Sequence, residues 1–556
     1  MGSNIFGILY TGISGIMASQ IAMDVTGDNI ANANTDGYSR KRLEQAAVYR
    51  RDPQFGAIGY GAHPVKIQRL RDFLLDQHIT LLTSDLGYYK QLDEGTSRVE
   101  DILVEPDDTA LNKFINDFWN SWQDLANNPD DMASRAVVLR TAKSLINKFK
   151  TIVGKLRDLQ DAFNEEMEYT IKQINEYIGE IYKLNREVVA IETNGQVAND
   201  ARDRRDFLIK KLAELVDITY YEDDKGAYNV FIDGNLVVSA TEKIEIAPTY
   251  EYKKRYDNTT QKIIKVQLST TKKELDIRGG KLRAYMELRD NIINKKLEQL
   301  DNLAYNIKER VNELHESGYT LDGLTGIPFF DPKSKGAMDL EIYPTVDQNL
   351  RNIAAATGGS SLHGTDTITV PNPPYGVPLE FDTTPRDNLV YDSVVLTNSS
   401  NGYVYKEGID YVVNYQEGTI VLLADSLIPP GAVLNVEYDY RVADFKGEGD
   451  GSNALAIAGL REKNTMDANV FGEYTKTFNE FYGSIIGTLG AERQEYKSSR
   501  ESVESLHLQY VNRQDQIAGV SLDEEMTNLI VYQHAYIAST KVISTVEKML
   551  DALFNM

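Results

Sequence analysis

The 556-residue chain contains no cysteine. Disulfides, thiolate nucleophiles and thiolate metal sites are therefore excluded together. Basic charge is short as well. Fifty-nine Lys and Arg face 83 Asp and Glu, a formal charge of −24. Nucleic acid and anionic membranes reward basic surfaces, so neither is an expected partner. The N-terminal segment is apolar, but no basic residue precedes Arg40, so it lacks the n-region of a signal peptide. Gly7, Thr11, Gly12, Ser14, Gly15, Ser19 and Gln20 interrupt it, which argues against a membrane span. Proline is scarce at both ends: the first is Pro53, the last Pro430, and seven of fifteen lie between Pro371 and Pro430. Helix is thus favoured at the two ends and non-helical structure in the late middle.

Large apolar residues recur every seven positions near the N-terminus, at Leu9, Ile16, Met23 and Ile30, flanked by Ile5, Ile13 and Ile21. Near the C-terminus Leu522, Leu529, Tyr536, Ile543 and Leu550 do the same, with Tyr532, Ser539, Val546 and Leu553 as a companion row. Interleaved rows of this kind form a seam that buries against another helix. "SLDE" at 521–524 reads as a capping box, so the last helix starts at Leu522. Buried, nine such residues yield well over ~10 kcal/mol gross at about 1.5–3 kcal/mol each. The expectation is that these seams stay unsatisfied in one chain and are buried only when copies stack.

Between the ends, helix is expected over 66–104, 107–128, 131–194 with a small break, 203–216, 281–315 and from about 470 onward. β structure is expected at 227–240, where Asp233-Gly234 makes a hairpin turn, and over 340–445. The fold class is α+β multidomain: terminal coiled-coil helices and a long helical rod with inserted β-rich domains. The expected division is 1–50 with 515–556 (terminal helices), 51–216 with 275–339 and 446–514 (helical rod), 217–274 (small β-rich domain) and 340–445 (outer β-rich insertion).

Chemistry is hard to find. None of the six histidines stands at i, i+3 or i, i+4 from another, so no helical metal pair exists. There is no phosphate loop of the Walker type. "GISG" at 12–15 reads as a close helix contact, its small residues set in an apolar helix. "GEGDGSN" at 447–453 resembles a calcium loop until Arg461, which stands where a bidentate Glu is required. Arg40, Lys41, Arg42, Arg50 and Arg51 form a basic island, a solvated face or a match for an acidic partner such as another copy. No catalytic residue, cofactor or metal is assigned.

"NIANANTDGYSRKR" at 29–42 carries a family likeness. Asn29, Ala31, Asn32, Thr35, Gly37, Tyr38 and Arg40 resemble the N-A-N-x-x-T-x-G-[YF]-x-R pattern of bacterial flagellar axial proteins: rod, hook and hook-associated. The C-terminal helix resembles the closing helix of the same group. "GYSR", "FWNSWQDLANNPDDMASRAVVL", "RDRRDFLIKKLAELV" and "GGKLRAYMELRD" resemble its hook-associated branch. Asp36 stands where the family commonly has proline, and Asp-Gly still suits a turn. The likeness leaves out 340–445. It implies an extracellular structural subunit of the hook–filament junction, exported without a cleaved signal through the flagellar secretion channel. Implied partners are further copies of the chain in a ring, the hook protein, a second junction protein and an export chaperone on the C-terminal helix. Leu9, Ile16, Met23, Ile30, the motif residues and the C-terminal rows are then assembly contacts. The alternatives are a hook or rod subunit, a surface adhesin, and a secreted enzyme acting through 340–445.

Overall fold

The computed structural model describes residues 2–52, 56–104, 106, 110–357, 361–372, 378–380, 389–415, 419–424, 426–441, 449–468 and 472–554. Helix α1 (Gly2–Ala31) leads into a long antiparallel hairpin of β1 (Lys41–Asp52) and β2 (Gly56–Arg69). A bundle follows: α2 (Phe73–Leu103), α3 (Leu111–Asn127), α4 (Met132–Glu192) and α5 (Asn199–Leu215). Against it lie a three-stranded sheet, β3 (Thr219–Glu222), β4 (Tyr228–Ile232) and β5 (Asn235–Val238), and a hairpin, β6 (Ile246–Lys254) with β7 (Thr260–Leu268). Next come α6 (Gly280–Glu287), a π-helical segment (Leu288–Ile293), α7 (Asn294–Ser317) and the short α8 (Pro344–Gln348).

The outer β structure comprises β8 (Ser361–Thr369), β9 (Pro378–Glu380), β10 (Val395–Asn398), β11 (Tyr411–Asn414), β12 (Thr419–Leu422) and β13 (Val433–Arg441). Its two sheets run β10-β13-β8 and β11-β12-β9. The chain closes with α9 (Ser452–Ala458), the hairpin β14 (Met466–Ala468) with β15 (Tyr474–Lys476), α10 (Phe478–Ala518) and α11 (Leu522–Phe554).

One large core joins the bundle to the sheets behind it. Phe118, Trp119, Trp122, Phe329 and Phe478 pack ring on ring at its centre. Leu340, Val346, Ile353 and Ala355 also belong to this core. The outer strands have a core of their own around Leu396, Tyr411, Ile420 and Val436. Among the described residues, neither core takes a residue from α1 or α11.

Several expectations change. Helix was expected from residue 66, but β2 runs to Arg69 and Asp72 caps a helix that begins at Phe73, accepting from the backbone of Leu74 and Leu75. The break expected in 131–194 is absent: α4 is one helix of 61 residues, about 90 Å long at 1.5 Å per residue. Its N-terminus is capped by Asp131. The segment after 470 is not wholly helical, because β15 precedes the capping box of Thr477 and Glu480 that starts α10. At Asp233-Gly234 both φ angles are positive, 47° and 68°, as the two-residue hairpin between β4 and β5 requires. Part of "GEGDGSN", residues 447–448, lies outside the described residues. By length and composition Phe6–Ala31 is apolar enough to cross a membrane despite its small polar interruptions. Of those interruptions, Gly7, Thr11 and Ser14 lie against β2, and Gly12 and Gly15 lie against α11.

Candidate assembly interface

Helices α1 and α11 lie antiparallel. Gly12 faces Ile543, Gly15 faces Ser539, and Asn29 meets Glu525. A Cβ on Gly12 would stand 2.8 Å from Ile543 Cγ1, and one on Gly15 2.5 Å from Ser539 Oγ. Small residues at these points let the two backbones approach. The buried line on α1 is accordingly Gly12, Ala18, Ala22, Val25 and Asn29. The heptad row Leu9, Ile16, Met23 and Ile30 is half-buried beside it. On α11, Val546 is buried, Leu529, Tyr536, Ile543 and Leu550 are half-buried, and Leu522 is exposed. The side chain of Leu553 lies outside the described residues.

The pairing within one chain corrects the expectation that both seams remain unsatisfied in a single copy. It satisfies only part of each helix. Phe6, Tyr10, Ile13 and Met17 on α1 are exposed, as are Met526, Ile530, Val531, Ile537 and Met549 on α11. Ile8, Val542, Val546 and Met549 line an apolar groove between the two helices.

The peptide 29–42 is the junction of this pair with the bundle. Helix α1 ends because Asn32 turns its amide back onto Asp28 (3.0 Å to the carbonyl, 2.8 Å to the carboxylate) and Thr35 donates to Asn32 at 3.2 Å. Gly37 follows at φ +80°, where a Cβ would meet Phe207 at 3.0 Å, so both conformation and space select glycine. Asn29, 1% exposed, satisfies four bonds. Its amide donates to Lys41 O (2.9 Å) and Glu525 Oε2 (3.0 Å), and its Oδ1 accepts from Tyr38 OH (2.8 Å) and Lys41 N (2.9 Å).

Arg40 continues the link to α11. Its Nε donates to Glu525 at 2.7 Å and its Nη1 to Glu524 at 3.0 Å. Its backbone N–H donates to Ala518 O at the end of α10. Helix α11 does start at Leu522, but the Glu524 carboxylate is committed to Arg40. The side opposite is held by α5. Ser39 Oγ donates to Asp203 at 2.6 Å, and Lys41 Nζ pairs with Asp28 and Asp200. Arg69 and Arg71 close the ring on Asp203, Asp206 and Asp76. Burial alone raises the Asp206 carboxyl pKa, but Arg71, Arg69 and Arg205 outweigh it and hold the group below its usual value. Asp28 is likewise lowered, burial being outweighed by Lys41 and the Tyr38 and Asn32 hydrogen bonds. Tyr38 is raised by burial and then by Asp28.

Two members of the basic island, Arg40 and Lys41, thus serve the chain itself. Asn29, Tyr38 and Arg40 converge on the helix pair, while Asn32, Thr35 and Gly37 shape the turn. The sequence reading missed Asp28, Ser39, Glu525 and the α5 carboxylates. The available signal was "NDARDRRDF", which places Asp200, Asp203 and Phe207 on one helical face. Among the described residues no group of three or more His, Asp or Glu is placed to hold a metal.

A chain whose first and last helices pair outside the main cores, clamped by an Asn-Tyr-Arg peptide, has the build of a flagellar axial subunit. Three family models agree: "Flagella basal body rod protein" over residues 9–38, "Flagellar hook-associated protein FlgK helical domain" over 96–330, and "Flagellar basal body rod FlgEFG protein C-terminal" over 516–556. The flagellar hook-associated protein 1 of Bacillus subtilis is 27% identical, with 98% of this chain and 97% of that protein covered. Its Escherichia coli counterpart is 25% identical with 99% of each covered. The hook junction protein FlgK from Burkholderia pseudomallei shares the fold, with a TM-score of 0.55 at 16% identity over 80% of this chain and all of that one. Within the axial class, the chain is similar over nearly its whole length to flagellar hook-associated proteins of the FlgK type.

Proposed function

We propose that this protein is a structural subunit of the flagellar hook–filament junction that polymerises through its terminal helices and catalyses no reaction. The observation that carries the reading is the exposed apolar surface of α1 and α11, left over after the two helices have paired. Contiguous apolar surface at this density marks a site that another protein covers. The occupant in this reading is the same helix pair of neighbouring copies, with hook protein on one side and the second junction protein on the other. The chain reaches that place outside the cell through the flagellar export channel. Before assembly the apolar face of α11 is the surface an export chaperone shields.

The four-part division, with 1–50 and 515–556 as the terminal unit, 51–216, 275–339 and 446–514 as the rod, and 217–274 and 340–445 as β-rich insertions, enters this reading as a proposal. A hook or rod subunit is the runner-up, and the match of the FlgK helical domain to 96–330 favours the junction.

Replacing Ile530 and Ile537, both exposed, with Asp tests the reading. The purified variant should stay folded by tryptophan fluorescence. Cells carrying it should bear hooks without filaments in electron micrographs and release filament protein into the medium. Normal filaments on those cells would refute it.

A further inference from the structure

The outer strands keep a core of their own and meet the bundle at a small seat beside the end of α7. Two hydrogen bonds tie them there. Tyr391 OH donates to Glu316 Oε2 at 2.5 Å, and Tyr319 OH donates to Leu389 O at 3.3 Å. Tyr415, which follows β11, lies against Gly326 in the loop after α7. The glycine has φ +73°, and a Cβ on it would stand 3.3 Å from the tyrosine Cβ. The Tyr415 ring packs 5.1 Å from that of Tyr391, and its hydroxyl donates to Glu407 Oε2 at 2.8 Å. One carboxyl from the bundle and one from the outer strands therefore reach the same pair of rings.

The charges at this seat are of one sign. Glu316 and Glu407 are both half-buried, and neither makes an ion pair among the described residues. The other charged groups that act on them, Glu309 on α7 and Asp392 beside Tyr391, are acidic as well. The contrast is Asp206, which Arg69 and Arg71 match. Burial raises the Glu316 carboxyl pKa. The Tyr391 hydrogen bond opposes the rise, and Glu309 and Glu407 add to it. Burial likewise raises Glu407, against the Tyr415 hydroxyl and the Val413 N–H, with Asp392 adding to the rise.

We propose that the seat is a proton-set hinge, which holds the outer strands in one pose when Glu316 and Glu407 carry protons and releases them when both are charged. Two carboxylates brought together without a cation repel across the contact, and partial burial keeps solvent from screening them. The sign follows from the raised carboxyls. The seated form binds protons that the released form gives up, so seating is whole below the ordinary glutamate value of 4.5 and is lost as pH rises through the raised values.

The chain has no cysteine of its own, so Lys333→Cys beside the bundle and Thr369→Cys on β8, both exposed, can carry a dye pair on the full chain. Single-molecule energy transfer reads the pose. The labelled protein should show one narrow transfer value at about pH 5 and a broader or shifted one at about pH 8, the seated share falling at least about threefold. Glu316→Gln with Glu407→Gln keeps the acceptor oxygens without the charge and should stay narrow at both. Glu407→Gln alone should lose part of the response. An unchanged urea midpoint of tryptophan fluorescence shows that these variants keep the bundle. Transfer that does not move between the two pH values overturns the proposal. So does a double variant that still shifts, as titration of His363 beside Asp439 would make it do.

Discussion

Asn29 and Glu525, 496 positions apart, share a 3.0 Å hydrogen bond that joins the first helix to the last. Glu525 is 2% exposed and also receives Arg40. The pair of helices is therefore fixed in register by a polar clamp at one end and by the glycine contacts of Gly12 and Gly15 along its length.

Asn29→Ala takes the Asn29 side chain away from the backbone N–H and C=O of Lys41 and from the Glu525 carboxylate. Buried groups orphaned in this way cost about 1–3 kcal/mol. The loss should be local. Hydrogen exchange should accelerate across α1 and α11, while the tryptophan fluorescence transition stays put, since Trp119 and Trp122 lie in the separate core.

Glycines in α1 should respond with opposite signs. Gly12→Leu drives a side chain into Ile543 and should separate the helices, abolishing assembly. At Gly27 a Cβ would have no neighbour within 4 Å, so Gly27→Ala should stabilise α1 by about 0.5–1 kcal/mol. Circular dichroism and hydrogen exchange of the two variants check both signs.

His315 is fully buried. It donates from Nδ1 to Ile327 O at 2.6 Å and accepts the Ala354 N–H on Nε2 at 2.9 Å, which fixes the neutral ring. Burial pushes its pKa down to about 4. Above about pH 6.5 the ring is neutral in folded and unfolded chains and its contribution is whole. As pH falls from there towards about 4, only the unfolded chain takes the proton, so about 3 kcal/mol is lost. The urea midpoint read by tryptophan fluorescence should drop across that window. His315→Gln, which can donate and accept in the same place without titrating, should flatten the slope.

The outer strands should be removable. Thr357 N–H reaches Asp450 at 3.1 Å and its hydroxyl lies 2.6 Å from Ser452 Oγ, so the ends of the insertion are adjacent. Replacing 358–449 with a short Gly-Ser linker should leave the tryptophan transition within about 1 kcal/mol of the full chain, because the excised strands hold a core of their own. Calorimetry should show one fewer transition.

What the sequence made legible follows the physics of local signals. Ser521 and Leu522 mark the start of α11, Asp233-Gly234 marks its hairpin, and the apolar period of 111–127 marks α3. The β1–β2 hairpin was hidden because it is exposed on both faces around Arg50 and Ile58, so no in-out alternation betrays it. The line of closest approach between α1 and α11 was displaced from the heptad row, because Gly12 and Gly15 govern backbone distance while larger residues dominate the pattern. The pairing of Ser39 with Asp203 spans 164 positions, and no local rule reaches that far. The FlgK-type interior motifs nevertheless pointed to the family that the comparisons support.

The antiparallel closure of α1 on α11 also sets an order of events. Its two halves emerge from synthesis, or from a narrow conduit, at opposite ends of the process. Until α11 arrives, α1 has no cognate surface, and a premature encounter with a neighbour's α11 would make a swapped pair. The compact middle shortens the search by holding Arg40 against the end of α10, so that only a short tether remains to be closed. Zippering of the two tips is then the contact of the fold that closes over the greatest sequence separation, with Asn29 meeting Glu525.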